Sequence, residues 1–204
     1  MGGTLPREDR EMALRTELEP IVRRRRFTVE EYHRMGTAGI LGETERVELI
    51  HGDIVQMTPI GPDHASVVAR IANLLKDVLR ERVIVWSQNP VSLKDEASEP
   101  QPDVVLLRPK PDFYRSGHPE PPDVLLLVEV MVSSAAFDRQ VKLPLYARAS
   151  IVEVWLVDLN ASIVEVHRDP SPTGYRGRRV VDPDATVGPL AFPEVTLRGR
   201  DLTG

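Results

Sequence analysis

Glu129 lies within the most apolar run of the chain, Val124-Leu-Leu-Leu-Val-Glu-Val-Met-Val132. A carboxylate in a segment patterned as a buried strand is costly unless a counter-charge or a metal ion meets it. Asp103 opens a second apolar run, Asp103-Val-Val-Leu-Leu107, directly after Pro102. Two carboxylates on adjacent strands, with Lys142 shortly downstream, form the set that metal-assisted hydrolysis of a phosphodiester needs. A divalent cation neutralises charge on the phosphoryl group and polarises an attacking water. Magnesium takes a few carboxylate oxygens and keeps several waters. If the two strands are neighbours, Glu129 and Met131 share one face while Val128 and Val130 share the other. The carbonyl of Val130 is then a candidate for a further metal ligand. Lys142, on the helix after the Glu129 strand, is the candidate to orient the water and offset developing negative charge. Each acidic residue also has an ordinary reading, an exposed strand edge or an arginine partner.

Other chemistries find little support. The histidines, His33, His51, His64, His118 and His167, are scattered, with no helical pair at metal-binding spacing. No phosphate-binding glycine loop is present, and Ser133-Ser134 lacks the setting of a nucleophile elbow. Trp86, Trp155 and Tyr146 read as core residues rather than base-stacking platforms. The chain has no cysteine, which excludes disulfides and thiolate zinc sites and makes a cytoplasmic setting the expectation.

The 204 residues, 41% hydrophobic and 28% charged, suffice for one domain with a real core. No apolar run suits a membrane span, and the first residues lack the apolar centre of a signal peptide. The net charge of −5 argues against a protein that coats nucleic acid, but not against a nuclease whose acidic groups hold metal. Arginines cluster at 23–26, at 176, 178 and 179, and at 198 and 200; surface ion pairing is the ordinary reading of each.

The elements that must position these groups follow from pattern. Residues 1–26 read as an extension, helical in part over 10–18, and residues 27–204 as the domain. Thr28-Val-Glu-Glu31 predicts a capping box and a short helix to Met35, stopped by Gly36. Residues 46–50 and 53–57 flank His51-Gly52 as a hairpin. Val67, Val68, Ile71, Leu74, Leu75, Val78 and Leu79 predict a helix over 64–81 with Asp63 as N-cap. Strands are expected at 83–86, 90–93, 103–107, 124–132, 152–159 and 162–167. A proline-rich loop is expected at 109–122 and a helix at 138–149, starting just before Pro144. This order predicts an α/β (α+β) domain with a central mixed sheet flanked by helices.

Taken together, Pro102-Asp103, Val128-Glu129-Val130, Lys142-Leu-Pro-Leu-Tyr146-Ala and Val154-Trp155-Leu-Val-Asp158 resemble the Uma-two family of restriction endonucleases. This family is a branch of the PD-(D/E)XK nuclease superfamily. The openings Phe27-Thr-Val-Glu-Glu-Tyr32 and Glu48-Leu-Ile-His-Gly-Asp53 extend the resemblance over about residues 27–200. It implies a restriction-endonuclease-like fold, dependence on Mg²⁺ with Mn²⁺ as substitute, and hydrolysis of DNA. Asp103 matches the aspartate of the motif and Glu129 its acidic partner. Met131 stands where the usual lysine follows the glutamate; the displaced lysine matches Lys142. Glu48 matches an acidic position in the first hairpin that supports the metal or its waters. His64 matches a recurrent histidine without an assigned role. Val132 replaces a common aspartate, and Ser150 a glycine expected after the helix. A homodimer is expected, since two sites related by a two-fold axis suit cutting of both strands. The alternative is a catalytically weak or inactive nucleic-acid-binding or interaction module on the same fold.

Overall fold

The computed structural model describes residues 24–42 and 44–204. The helix expected over 10–18 and most of the expected extension lie outside the described residues. The first helix, α1 (Val29–Thr37), starts from the expected capping box. Thr28 Oγ1 accepts the Glu31 N–H at 3.2 Å, and Glu31 Oε2 accepts the Thr28 N–H at 3.2 Å. The helix runs through Gly36, because the left-handed stop is supplied by Gly39, at φ +70°.

Strands β1 (Val47–Ile50) and β2 (Asp53–Gln56) form the expected hairpin, with Ile50 opposite Asp53. His51 and Gly52 have φ of 51° and 78°, the paired left-handed residues of a type I′ turn. Gly52 is required twice over, since a Cβ there would lie 2.7 Å from Cβ of Arg26. Helix α2 (Pro62–Leu79) begins earlier than expected. Proline is pre-organised for the first helical position, so Gly61 becomes the N-cap and Asp63 sits in the first turn. Val67, Val68, Ile71, Leu75 and Leu79 are buried as the periodicity predicts, whereas Val78 is exposed.

The central sheet is built from β3 (Ile84–Ser87), β4 (Val104–Leu107), β5 (Val124–Met131), β6 (Glu153–Asp158), β7 (Ile163–Ser171) and β8 (Gly174–Val181), paired in that order. β5 and β6 run parallel, and the remaining neighbours antiparallel. The sheet is therefore mixed and flanked by helices, as the element order predicts. The strand expected at 90–93 does not form. Gln88, at φ 51°, turns the chain out of line with β3, and Leu93 makes only an isolated bridge to Ser98. Val91 and Leu93 are buried all the same.

The helix after β5, α3, starts at Ala135–Phe137, passes through a π-type stretch at Asp138–Lys142 and continues as Leu143–Arg148. It thus begins before the expected position. Pro144 has no N–H to give the preceding turn, and the widened stretch before it accommodates that gap. The chain closes with β9 (Thr186–Val187) paired to β10 (Leu197–Arg198), and a short helix α4 (Gly199–Thr203).

All eight residues of β5 are buried, because the sheet is covered on both faces. On one face Val104, Leu106, Val128, Val130, Trp155 and Val157 pack against the buried stripe of α2. On the other, Val105, Leu107, Leu127, Met131, Val154 and Leu156 pack with Leu145 and Tyr146 of α3. Glu129 stands between Leu127 and Met131 on this second face, looking toward α3.

Candidate active site

The β4–β5 register pairs Val104 with Val128, so the residue before β4, Asp103, meets Glu129. The Asp103 N–H donates to Glu129 Oε2 at 3.3 Å, and the Val130 N–H donates to Asp103 Oδ2 at 2.8 Å. Lys142 reaches the same spot from the π-type stretch of α3. Its Nζ lies 3.4 Å from Glu129 Oε1 and 3.2 Å from Glu48 Oε2. Glu48, on β1, also accepts the Gln101 N–H at 3.1 Å. All four side chains are buried, at the floor of a cavity of about 560 Å³ between the hairpin, the start of α2 and the start of α3. Asp103, Glu129, Lys142 and Glu48, each singled out in the sequence, are therefore brought together.

Three further groups complete the cluster. Tyr146 Oη donates to Glu129 Oε1 at 2.5 Å. His64 Nε2 contacts Asp103 Oδ2 at 3.0 Å, while its buried Nδ1 has no partner among the described residues. Asp138, buried, accepts from Ser134 Oγ at 2.5 Å and lines the cavity. Sequence reasoning passed over Asp138 and took Tyr146 as core alone. The spacing of Asp138 and Lys142, one helical turn apart, was the available signal. For His64 the geometry now gives a place: it holds one oxygen of Asp103.

The electrostatics of this cluster are those of crowded acids in a dry place. Burial pushes the Glu129 carboxyl up to about 8, and the Lys142 ammonium only partly opposes this; Asp138 and Asp103 add to it. Burial likewise raises Asp138. Burial disfavours the Lys142 charge, but Glu129 and Glu48 outweigh it and hold the amine above its usual range. The hydrogen bond to Asp103 raises His64. Four buried carboxylates face one ammonium and one imidazole, so a cation entering the cavity would meet excess acid and displace bound protons.

Apart from His64 Nδ1, the available donors are oxygens. Among the described residues, Asp103 Oδ1 is engaged only by Gln88 Nε2, at 3.4 Å. Val130 directs its N–H toward Asp103, and in an antiparallel ladder the carbonyl of the same residue faces the same side. Carboxylate and carbonyl oxygens suit magnesium or manganese rather than a softer metal.

The profile of the Uma2 family, described as "Putative restriction endonuclease", matches residues 29–200. The chain belongs to this family. Among solved structures, a "putative nuclease belonging to DUF820" from Anabaena variabilis is similar at TM-score 0.66 and 19% identity, covering 87% of this chain and 97% of that one. At that identity the likeness speaks for the fold. No curated protein matches the chain in sequence. The family is the one the sequence resembles, and the fold agrees with it.

The arginine clusters are largely ion-paired. Arg25 meets Glu31, Arg26 meets Asp53, Arg176 meets Asp169, Arg178 meets Glu165 and Arg200 meets Asp184. Among the described residues, no helix is long and apolar enough to cross a membrane.

Proposed function

We propose that this Uma-two chain is a metal-dependent DNA endonuclease whose site is built from Asp103, Glu129, Lys142 and Glu48. The observation that carries this reading is the meeting of two carboxylates on adjacent strands with a buried ammonium, 3.4 Å from Glu129, beneath one open cavity. Asp103 and Glu129, with the Val130 carbonyl, would hold Mg²⁺ or Mn²⁺. Once bound, the ion neutralises phosphoryl charge and makes a water more acidic. His64 fixes Oδ2 of Asp103 and leaves Oδ1 to the cavity. Tyr146 fixes the Glu129 carboxylate. Glu48 anchors Lys142 from the other side, so its ammonium is held where it can orient a water and offset negative charge on the phosphoryl oxygens. Water attacks phosphorus in line, a new P–O bond forms as the P–O3′ bond breaks, and the 3′ oxygen takes up a proton. The products are a 5′-phosphate and a 3′-hydroxyl.

Cleavage of both strands of a duplex would take two copies related by a two-fold axis. The absence of cysteine suits a reducing, cytoplasmic setting. The test is incubation of the purified chain with Mg²⁺ or Mn²⁺ and plasmid, single-stranded or branched DNA. Cleavage is expected, and Asp103→Ala should remove it. Absence of any Asp103-dependent cleavage across those substrates would rule the reading out.

One observation favours a second reading, a DNA-binding module without hydrolysis. Val132, at the cavity rim and 36% exposed, stands where a polar residue is expected. That reading predicts salt-sensitive DNA binding that survives Glu129→Gln and no cleavage. Asp138 supports the first reading, because it returns a buried carboxylate to the same cavity.

A further inference from the structure

Away from that cavity, three residues distant in sequence converge: His33 on α1, Glu99 in the segment following the turn at Lys94–Glu96, and His118 in the proline-rich loop. One donor atom from each lies within 4.8 Å of the others. None of the three lines the nuclease cavity. Each is held by its own backbone. Glu99 N–H donates to Leu49 O at 2.7 Å, tying its segment to β1, and Pro119 O beside His118 accepts the Ser92 N–H at 2.8 Å. His33 lies inside α1. The two imidazoles stand edge to face, with centroids 5.6 Å apart.

Glu99 is the informative member. Its side chain is 2% exposed, yet among the described residues its carboxylate meets only His33 Nε2, 2.8 Å from both oxygens. Two carboxylate oxygens offer about four acceptor sites, and one ring nitrogen can present one N–H between them. A buried carboxylate so thinly satisfied needs a further positive partner. No lysine or arginine is paired with it in the described structure.

We propose that His33, Glu99 and His118 form a second metal site, for a divalent transition ion of the zinc type, separate from the nuclease centre. Two imidazole nitrogens and one carboxylate oxygen make a donor set that zinc favours and magnesium does not. With metal–ligand bonds of about 2.0–2.1 Å, ligand atoms of a tetrahedral zinc lie about 3.3 Å apart. The observed separations, 2.8 Å for His33 to Glu99 and up to 4.8 Å across the set, bracket that value, so small side-chain rotations suffice. Both histidines are exposed, which leaves room for those rotations. The fourth position is left to water. Neutral imidazoles around one carboxylate leave the site at net −1, suited to a dication. The bound ion clips α1, the β1-linked segment and the proline-rich loop to one another, and its role is structural.

The test uses the full-length chain stripped of metal by chelation, in the Glu129→Gln background to silence the first cavity. Titration with Zn²⁺ by calorimetry, and with Co²⁺ by visible absorption, should give one equivalent bound, with the intense bands of a four-coordinate cobalt. His33→Ala and His118→Ala should each weaken binding at least tenfold, and excess Mg²⁺ should not compete. Saturating Zn²⁺ should raise the thermal midpoint of the parent and leave the double histidine variant unmoved. His118→Asn serves as a second variant, since residue 118 is exposed and the fold should survive it. Equal zinc uptake by the parent and the double histidine variant would overturn the proposal, as would loss of all zinc binding on Glu129→Gln alone. Neither result touches the nuclease reading, which is judged by Asp103-dependent cleavage.

Discussion

At the scale of the residue, Lys142 has two duties that can be separated. It is the positive partner of two buried carboxylates and the proposed group beside the water. Lys142→Met should lower the cleavage rate by about 10²–10³, the usual effect of removing one group that stabilises transition-state charge. It should also cost about 3 kcal/mol of stability, because Glu48 and Glu129 remain buried without it. Urea unfolding measures the second effect. Adding Glu129→Gln to Lys142→Met should return part of that stability while activity stays lost. Glu129→Gln alone behaves differently. Burial and neighbouring acids already work against its charge, so stability should hold or rise, whereas the heat of Mn²⁺ binding at the cavity should vanish. Unchanged Mn²⁺ heat in Glu129→Gln would place the metal elsewhere.

At the scale of the element, the end of α3 carries local strain. Ser150 adopts φ 62°, while Ile151 N–H donates back to Tyr146 O and Ser150 N–H to Ala147 O, the two bonds of a Schellman stop. A glycine is favoured at that position, and the serine side chain is exposed. Ser150→Gly should therefore stabilise the fold by about 1 kcal/mol. A midpoint shift of about 2–4 °C is the expected reading in a thermal melt. The β6–β7 pair predicts a pH effect. Burial opposes ionisation of Glu165 and Asp158, but hydrogen bonds from Arg139, with Arg178 at Glu165, outweigh it and hold both carboxyls below their usual range. Groups lowered in the folded state contribute stability above their unfolded values, near 4, and lose it as pH falls through the folded ones. The stability gap between the parent and Arg139→Ala should thus be full at pH 7 and close progressively as the pH falls below about 4 in urea titrations. A gap that does not change with pH would assign the effect of Arg139 to packing.

At the scale of the molecule, the site depends on two layers meeting over one sheet. The α2 stripe holds the start of that helix, and with it His64, against the start of β4; the hairpin brings Glu48 from the other side. Ile71→Ala, in the middle of the stripe and fully buried, should cost about 2–5 kcal/mol. Cleavage measured well below the lowered midpoint should nevertheless persist, since no cavity-lining group is removed. For the proposed dimer, light scattering with and without DNA reads the mass directly, and a monomer under both conditions would leave single-strand nicking as the activity.

Local pattern determined much of this protein. The capping box of Thr28, the I′ turn at His51-Gly52, the α2 stripe and the buried run around Glu129 are all encoded within a few residues, where steric and periodic preferences act. The anomaly of a carboxylate in an apolar strand marked Glu129, and the strand beginning at Asp103 gave it a partner. Helix ends were less legible, because Gly36, Asp63 and Pro144 each satisfy more than one local solution; the surrounding chain chose Gly39, Gly61 and a π-type stretch. Only the tertiary structure decided the rest. His64 reaches Asp103 across 39 residues and His33 reaches Glu99 across 66. No periodicity spans such distances. Those meetings follow from the order of strands in the sheet and the paths of loops around it, which bring together side chains whose own neighbours in sequence carry no sign of them.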